Sequence, residues 1–572
     1  MYKKLLESIH EQHKEYTEKK AGKFCNMICT AVFSMLISLA LVLEMHIQMY
    51  DTDSGVSYQI TSYTRKDIVW FILMMCASCF ILIMGRKVLE RRESWRVKLL
   101  QQTTRVSVRK VLVIALVLFA SWIPYLYIYY PGFIFNDSRS SLWQSLGQMQ
   151  LNNHFPVMYT LFIKCCLRVG MHLGSLTMGV AVYSVMQMII MAGAIGYFIS
   201  WMQTRFSLKK WLTIALTLVF ALSRYIAQYS IAMWKDPIFS VAVMLVTVWL
   251  MDLLFTQGGI RKNMKKMLLL FVALEIMILS RNNGFYIALA TLLMAMLGIL
   301  FEKNKQAIGQ IIFVVLLAIV CSRVVTGPIY ASWGVSKDDE RTESYGVFLT
   351  QMVRVVVLDG NLSDEDLEYM NRILPLEEYA VVYRQDCIDS VKWSEHYNGA
   401  VLGDNFFKHY FSILKKNPRI CFEAWELQTF GFWSMNQKQI NNFDGNIVGG
   451  VLRNIQPDGV GIEGITTKPV DDNSMLTKLF PYTARCIPIA YIHWLLIGLA
   501  LFAIAKGDWK RLIVLAPALG LMATLILASP ISYWPRYGLA QQLLLPLFIV
   551  MIFLREGEHQ NGQNCSFNTL LQ

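Results

Sequence analysis

Charged residues are scarce in this sequence. They make up 16% of its 572 residues, whereas a soluble globular domain carries roughly 25%. Hydrophobic residues reach 55%, the mean hydropathy is +0.41, and several stretches run for about 18 residues or more almost free of charge. The composition therefore excludes an ordinary soluble protein and predicts a mainly α-helical, multi-pass protein of a cell membrane.

Patterns typical of several other protein classes are also missing. The cysteines and histidines show no spacing of diagnostic value for a metal site, and the chain shows no internal repeat and no low-complexity linker. The first residues are polar and of mixed charge, with no small-residue cleavage site, so we expect the first span to be an uncleaved signal anchor. The net charge of +13 comes largely from basic residues between hydrophobic stretches, which indicates membrane topology and not nucleic-acid binding.

Cysteine adds one local question. Most of the 11 cysteines lie in hydrophobic stretches, where they behave as small apolar residues. Cys387 and Cys421 share the one long polar segment of the chain. For these two the sequence leaves two interpretations open, a disulfide bond or two free thiols.

We predict about 12 transmembrane helices. The corresponding stretches are 24–47, 68–85, 111–130, 176–199, 211–229, 237–255, 266–280, 284–301, 310–325, 486–505, 511–528 and 537–554. Basic residues cluster in alternate connections, at 86–110, 205–210, 261–266, 303–305 and 506–511. Because positively charged connections stay in the cytoplasm, both termini are predicted there and the remaining connections outside.

This topology divides the chain into five parts. Residues 1–110 hold the cytoplasmic N-terminus, two accessory spans and a basic cytoplasmic loop, and residues 111–325 form a transmembrane core with an external loop at 131–175. Residues 326–482 form one extracytoplasmic soluble domain, 483–555 hold three C-terminal spans, and 556–572 are a cytoplasmic tail.

The external loop contains two helix patterns. One follows Asp137, and the other follows His154. In the second, Thr160, Lys164, Arg168 and His172 recur every four residues, which places them on one face of a helix. That helix carries too much charge to cross a bilayer comfortably, so we predict that it lies in the membrane interface.

A set of polar residues falls on the external side under this topology. Its members are Asp137, His154, Lys235, Asp236, Arg281 and Arg536. Each has a structural alternative: the acids suit helix caps, the histidine suits a loop, and the arginines suit snorkelling or an aromatic belt. Together they suit a phosphate-bearing substrate and an acceptor hydroxyl, since a carboxylate can accept a proton and basic side chains can hold phosphate.

Four short motifs contain these residues. They are NDSRSSLWQSLGQMQLNNHFP at 136–156, WKDP at 234–237, SRNNG at 280–284 and WPRY at 534–537. With them the chain resembles the GT-C superfamily of integral-membrane glycosyltransferases, which use polyprenyl-phosphate-linked sugars as donors. Phe155 stands between His154 and Pro156, where the family has a His-Pro pair.

A further similarity is to an uncharacterised group of bacterial membrane proteins of the GT-C class. It lies in the external domain, at 351–355, 360–363, 417–418 and 431–433. The first two spans precede the region of resemblance.

The resemblance implies an enzyme, a glycosyltransferase that moves a hexose or pentose from a polyprenyl-phosphate donor to an acceptor outside the cytoplasm. The acceptor would be a cell-wall polymer, a lipid or a glycan. Asp137 takes the role of general base and Asp236 a supporting or metal-binding role. The resemblance assigns binding of the phosphate to His154, Lys235, Arg281 and Arg536. Asn282 and Tyr537 would be further substrate-binding residues. No Asp-x-Asp pair occurs in the loop, so the need for Mg²⁺ or Mn²⁺ stays open, and no other cofactor is implied.

Two alternative functions use the same features. A transporter or flippase of lipid-linked sugars would need the basic residues but no base, and a non-catalytic membrane assembly protein would use the polar loops only to bind partners. Transporters are often built from repeated halves, which this chain does not show, and the large external domain suits an enzyme with an acceptor. The expected partners are the lipid-linked donor, a cell-envelope acceptor and the bilayer, without nucleic acid.

Overall fold

The computed structural model describes most of the chain. The described residues are 2–52, 55–91, 97–98, 105–255, 260–302, 305–336, 341–385, 388–436, 461–471, 473–481, 486–528 and 534–555. Their structure is mainly α-helical, as the sequence predicts. The strands are short and form two small sheets. β1 (Ile47–Thr52) pairs antiparallel with β2 (Gly55–Ile60), and β3 (Val97–Lys98) pairs parallel with β4 (Leu554–Arg555).

The first twelve helices include most of those that are long and apolar enough to cross a membrane. They are α1 (Tyr2–His46), α2 (Arg65–Arg91), α3 (Val108–Ile128), α4 (Asn136–Leu146), α5 (Val157–His172), α6 (Leu176–Phe206), α7 (Lys210–Leu222), α8 (Arg224–Ser230), α9 (Lys235–Phe255), α10 (Ile260–Ser280), α11 (Asn283–Phe301) and α12 (Lys305–Val324). A π-helical turn, Val325–Ile329, continues α12 into the short turn Tyr330–Ser332.

The rest of the chain forms a helical insertion and three more long helices. The insertion contains α13 (Gly346–Val357), α14 (Asp364–Ile373), α15 (Leu376–Val382), α16 (Phe406–Lys416) and α17 (Pro418–Thr429). Shorter helical turns are Arg341–Ser344, Asp389–Lys392, Gly399–Gly403, Phe430–Phe432 and Met475–Leu479. The C-terminal helices are α18 (Ile489–Lys506), α19 (Trp509–Leu527), the 3₁₀ turn Pro535–Gly538 and α20 (Leu539–Phe553).

Ten helices of the described chain are long and apolar enough to cross a membrane. Helices α7 and α8, bent by 62° at Ser223, make an eleventh if they form one broken span. The remaining predicted span coincides with α10, but Lys265, Lys266 and Glu275 fall within every 18-residue stretch of that helix. The architecture is thus that of a multi-pass membrane protein.

Helix α9 lies at the centre of the bundle. It packs against α6, α10, α19 and α20, and it is the most buried of the ten candidate spans. Its sequence is apolar on every side between Asp236 and Asp252, which is the pattern expected for a helix surrounded by other helices. The residues at its two ends are therefore held in fixed positions by the surrounding helices.

The insertion has a hydrophobic core of its own. Leu349 and Met352 of α13 pack there with Met370 of α14 and Ile413 of α16. Ser363 caps α14 by accepting a hydrogen bond from the backbone N–H of Asp366, and α14 has three acids in its first turn, where the helix dipole favours negative charge. Helices α14 and α16 thus begin at Asp364 and Phe406. Cys421 is buried in this core, while Cys387 lies outside the described residues.

Helix α5 differs in detail from its predicted polar face. Thr160 is fully buried, and the backbone C=O of this residue accepts a hydrogen bond from Ser145 at 3.0 Å, so it does not share the exposed side with Arg168 and His172. Helix α4 packs against α5 at this position. Further along α5, a Cβ at Gly170 would overlap the backbone of Gly179, so α5 and α6 approach closely because both residues are glycine.

Helix α10 is also longer than the predicted 266–280 stretch. Its 21 residues span about 32 Å, since its basic first turns are helical as well. The helix is therefore long enough for the ~30 Å hydrocarbon core of a bilayer.

A buried ion pair joins α6 to α9 within the bundle. The Arg205 guanidinium donates from Nε and Nη2 to the two carboxylate oxygens of Asp252, both at 2.7 Å, and the indole of Trp201 donates to Asp252 at 2.9 Å. Asp252 and Arg205 are both buried. Removing one partner would leave an uncompensated buried charge, which is strongly destabilising.

We expect Asp252→Ala to destabilise the protein by about 3–5 kcal/mol, seen as a lower melting temperature of the purified protein in detergent. The matched control is Asp404→Ala, because Asp404 pairs with Arg372 where both side chains are about half exposed. Exposed pairs contribute about 0–1 kcal/mol. Equal shifts in the two variants would contradict this account.

Candidate functional site

The polar residues of the loop 131–175 and of the α8–α9 connection are brought together by backbone pairing. Phe133 accepts a hydrogen bond from the N–H of Met233 at 2.9 Å and donates to the carbonyl of Ile231 at 3.0 Å. The Ser138 hydroxyl also donates to the Met233 carbonyl. The start of α4 therefore lies beside the start of α9, and this fixes Asp137 near Lys235.

A buried glutamine shapes the second of these connections. The side-chain amide of Gln187, in α6, donates to the carbonyls of Ala232 at 2.7 Å and Tyr229 at 3.0 Å. Its carbonyl accepts from the Tyr183 hydroxyl at 2.6 Å, which lies 3.0 Å from the Tyr159 hydroxyl. Buried amides need such partners, so this network selects one conformation for the turn before α9.

Arg536 joins the turn before α20 to Asp137. Its Nη1 donates to the Asp137 carboxylate at 2.9 Å, and its Nη2 donates to the Tyr537 hydroxyl at 2.7 Å. The rings of Trp234, Trp534 and Tyr537 lie 4.7–4.8 Å from the guanidinium carbon, within the range of cation–π attraction. Nε of Arg536 has no hydrogen-bond partner among the described residues. Arg536 is thus held in a cage of three aromatic rings, and its Nε–H remains available to donate a hydrogen bond.

A second ion pair lies at the base of the site. Asp236, in the first turn of α9, is 1% exposed, and its carboxylate accepts from Nη1 of Arg281 at 2.6 Å. The helix N-terminus stabilises this buried carboxylate. Arg281 also packs on the ring of Tyr537 at 4.9 Å and on Phe239 at 5.5 Å. One aromatic ring, that of Tyr537, therefore contacts both arginines.

The loop with His154 closes another side of the site. The ammonium of Lys235 lies 5.9 Å from the ring of Phe155, which the His154 ring meets edge-on at 4.8 Å. The Asn282 amide donates to the Asn153 carbonyl at 3.4 Å. The predicted residues on this side thus belong to one neighbourhood, although Asn282 contacts backbone.

Positive charge dominates the surroundings of Asp137. Burial alone would raise the pKa of its carboxyl group, but Arg536 and Lys235 lower it more strongly and His154 adds to them, so the pKa lies at about 2. Because the Asp137 side chain keeps 42% of its surface exposed, its burial raises the pKa less than full burial would. Solvent also screens the cations, but their combined effect on the pKa remains the larger one. Asp137 is therefore a carboxylate throughout the physiological pH range.

The described residues contain no group of three or more His, Cys, Asp and Glu side chains that could hold a metal ion. Each of the two acids of the site faces a guanidinium, which competes with a cation for the same oxygens. The donor set therefore does not fit a divalent metal site.

The structure separates the two acids and the two arginines from their simpler alternatives, while His154 does lie in a loop. Neither acid is a helix N-cap, because α4 is capped at Phe135 and α9 begins at Lys235. Neither arginine snorkels, since each is close to nine-tenths buried against a carboxylate. His154, Lys235 and Tyr537 also lie within this cluster.

Sequence reasoning missed the residues that hold the cluster in place. Trp234 and Trp534 flank the motif residues and form the cage of Arg536. Their signal was the presence of aromatic residues in both WKDP and WPRY. Gln187 was a lone amide within an apolar span, and a polar residue in such a position is a functional candidate by itself.

The pKa of Asp137 can be tested directly. Because Arg536 lowers it, we expect Arg536→Gln to raise that pKa, whereas Arg323→Gln, near Phe285, leaves it unchanged. A carboxyl group with a lowered pKa stabilises the fold above its unfolded pKa of about 3.9. In the wild type that contribution is lost as the pH falls toward about 2. Infrared difference spectra against Asp137→Asn measure the carboxyl titration, and identical midpoints in wild type and Arg536→Gln would contradict the assignment.

Comparison with known proteins gives the family and nothing finer. No curated protein and no solved structure matches the chain. One family model matches residues 142–566, a region that begins after Asp137 and includes Lys235, Asp236, Arg281 and Arg536. The match covers well over half of the sequence, and the chain therefore belongs to the family of unknown function DUF6020.

Proposed function

We propose that this protein is a GT-C-type membrane glycosyltransferase that moves a sugar from a polyprenyl-phosphate donor to an acceptor outside the cytoplasm. The proposal rests on one observation. Residues from four separate chain segments come together at one end of the helices, namely Asp137, Lys235, Asp236, Arg281 and Arg536. The cations outnumber the carboxylates by one, which suits a phosphate group that enters as an anion.

In this proposal the chain crosses the membrane about 12 times, with α10 and the broken pair α7–α8 among the spans. The motif residues then lie at the external surface, α5 lies in the interface, and the insertion with α13–α17 is the extracytoplasmic domain. Both termini face the cytoplasm.

The proposed donor-binding residues are cations that are already held in position. Arg281 and Arg536 each contact a carboxylate and aromatic rings, so little side-chain freedom remains to be lost when phosphate binds. The Arg536 Nε, which has no hydrogen-bond partner among the described residues, leaves capacity for a new contact with a phosphate oxygen. Lys235 supplies a third positive charge close to both pairs.

Donor binding also provides a way to activate Asp137. A carboxyl group of pKa about 2 is a weak base at neutral pH, because an effective general base has a pKa nearer the working pH. A donor phosphate that pairs with Arg536 neutralises the positive charge that lowers the pKa of Asp137 most. The carboxylate becomes more basic only when the donor is present.

The proposed reaction is a single displacement at the anomeric carbon of the sugar. The acceptor oxygen forms a bond to that carbon while the bond from the carbon to the phosphate oxygen breaks, and the phosphate keeps the electron pair. The hydroxyl proton passes to Asp137. The guanidinium groups of Arg281 and Arg536 neutralise the charge that develops on the leaving polyprenyl phosphate.

Asp236 has a positioning role in this scheme. At 1% exposure it lies beneath Arg281, so it does not reach a substrate, and its pairing with a guanidinium disfavours the metal-binding alternative. It holds Arg281 in the orientation that faces the site.

We expect Asp137→Asn to lower sugar transfer by about 10²–10⁴-fold, the usual contribution of a general base, while donor binding remains. Purified protein, radiolabelled polyprenyl-phosphate sugar and a membrane acceptor fraction allow both measurements. The matched control is Asp404→Asn, which changes an exposed carboxylate. Unchanged transfer in Asp137→Asn would remove its role as base, and protein-dependent movement of donor across vesicles without transfer would favour a flippase.

The membrane orientation can be tested by cysteine labelling in a variant without the native cysteines. A cysteine at Val381, which is 85% exposed in the insertion, should react with a membrane-impermeant maleimide in intact cells. A cysteine at Lys210, exposed at the start of α7, should react only after permeabilisation. The reverse result would overturn the orientation and the external site together.

A further inference from the structure

A cavity of about 1040 Å³ lies between α1, α2 and the C-terminal helices. It is at the opposite end of the bundle from the candidate site. Arg536 stands just before α20, whereas Leu554, which lines the cavity, follows its last residue. The 15 residues of α20 separate the two by about 22 Å.

The cavity has apolar walls and a basic mouth. The walls include Phe33, Leu82, Trp494, Leu495, Leu499 and Phe502. The mouth carries Arg86, Lys506 and Arg511, together with the acids Glu302 and Asp508. Both acids face cations, since Asp508 lies 3.1 Å from Nε of Arg511 and Glu302 lies 3.9 Å from Lys510.

Arg511 points to an anionic occupant. It is 4% exposed, and its Nη2 donates to the Leu554 carbonyl at 3.1 Å. Its Nη1 has no hydrogen-bond partner among the residues that the structure describes. A buried guanidinium donor without an acceptor is costly, and phosphate oxygens suit it well.

We propose that this cavity binds one anionic phospholipid, with its phosphate on Arg511 and its acyl chains along α1, α2 and α18. The apolar walls suit acyl chains, and the volume of about 1040 Å³ is just above the ~300–1,000 Å³ of small-molecule pockets. The basic connection 506–511 is predicted to be cytoplasmic, on the side where anionic lipids attract Lys and Arg. This site is independent of the proposed transfer reaction.

The chain offers no equally suitable occupant of its own. Residues 556–572, which follow the cavity-lining end of α20, are mostly polar and include Glu556 and Glu558, so they match the apolar walls poorly. Residues 92–104 are basic and would add positive charge to a mouth that already contains it.

Three variants of the full-length protein test the proposal. Arg511→Gln removes the phosphate contact. Gly85→Leu fills the cavity, because a Cβ at this lining residue meets nothing within 4 Å. Lys510→Gln is the matched control, since it makes the same change of charge one residue away at a side chain that does not line the cavity. Size-exclusion profiles show which variants remain folded.

The measurement is binding of phosphatidylglycerol and phosphatidylethanolamine to the purified protein, counted by native mass spectrometry. We expect one phosphatidylglycerol per wild-type chain, about fivefold weaker binding in Arg511→Gln, the effect of one basic residue on an anionic lipid, and loss of that lipid in Gly85→Leu. Lys510→Gln should resemble the wild type.

Four results would overturn the proposal. One is equal retention of both lipids by the wild type. Another is displacement of the lipid by millimolar inorganic phosphate, which would make free phosphate the ligand. The third is lipid binding that begins only when residues 556–572 are deleted, which would make the tail the occupant. A folded Gly85→Leu protein that keeps its lipid would likewise exclude this cavity as the site.

Discussion

An ionised side chain inside an apolar helical bundle needs an opposite charge. This constraint organises the three ion pairs on which the structure depends. Arg205 and Asp252 lie at one end of α9, Asp236 and Arg281 at the other, and Asp137 with Arg536 nearby. Since each pair joins segments far apart in sequence, the pairing of charge also determines which loops meet at the candidate site.

The constraint explains why the site forms in a protein with so few charged residues. Asp236 is supported by the start of a helix and Arg281, and Arg536 by Asp137 and three aromatic rings. The hydrogen bonds of Gln187 hold the intervening turn. The charged groups of the candidate site are thus kept in place by their ion-pair partners, by aromatic rings and by the buried amide of Gln187.

The sequence was sufficient to predict much of this arrangement. Long apolar stretches located the helices, because hydropathy over about 18 residues is a strong signal, and the alternation of basic connections placed the motif residues on one side. Helix length at α10 was predicted poorly, since basic residues continue that helix beyond its apolar part. The burial of Thr160 also escaped prediction, because its contact with Ser145 of α4 joins residues 15 positions apart and leaves no periodic signal.

The pairing of acids with arginines at the site could not be predicted from the sequence either. Two acids and two arginines allow more than one pairing, and only the three-dimensional arrangement assigns Asp137 to Arg536 and Asp236 to Arg281. The roles of Trp234 and Trp534 depend on the same arrangement, since an aromatic cage requires residues from two distant turns to meet.

The two ion pairs of α9 have a mechanical consequence. Asp236 and Asp252 are 16 positions apart, about 24 Å along the helix, and each is tied to an arginine on a different neighbour. The helix cannot slide along its axis or turn about it without breaking a buried pair at one end or the other. A shift of α9 relative to α6 or to Arg281 would therefore leave a buried charge uncompensated, at a cost of about 3–5 kcal/mol.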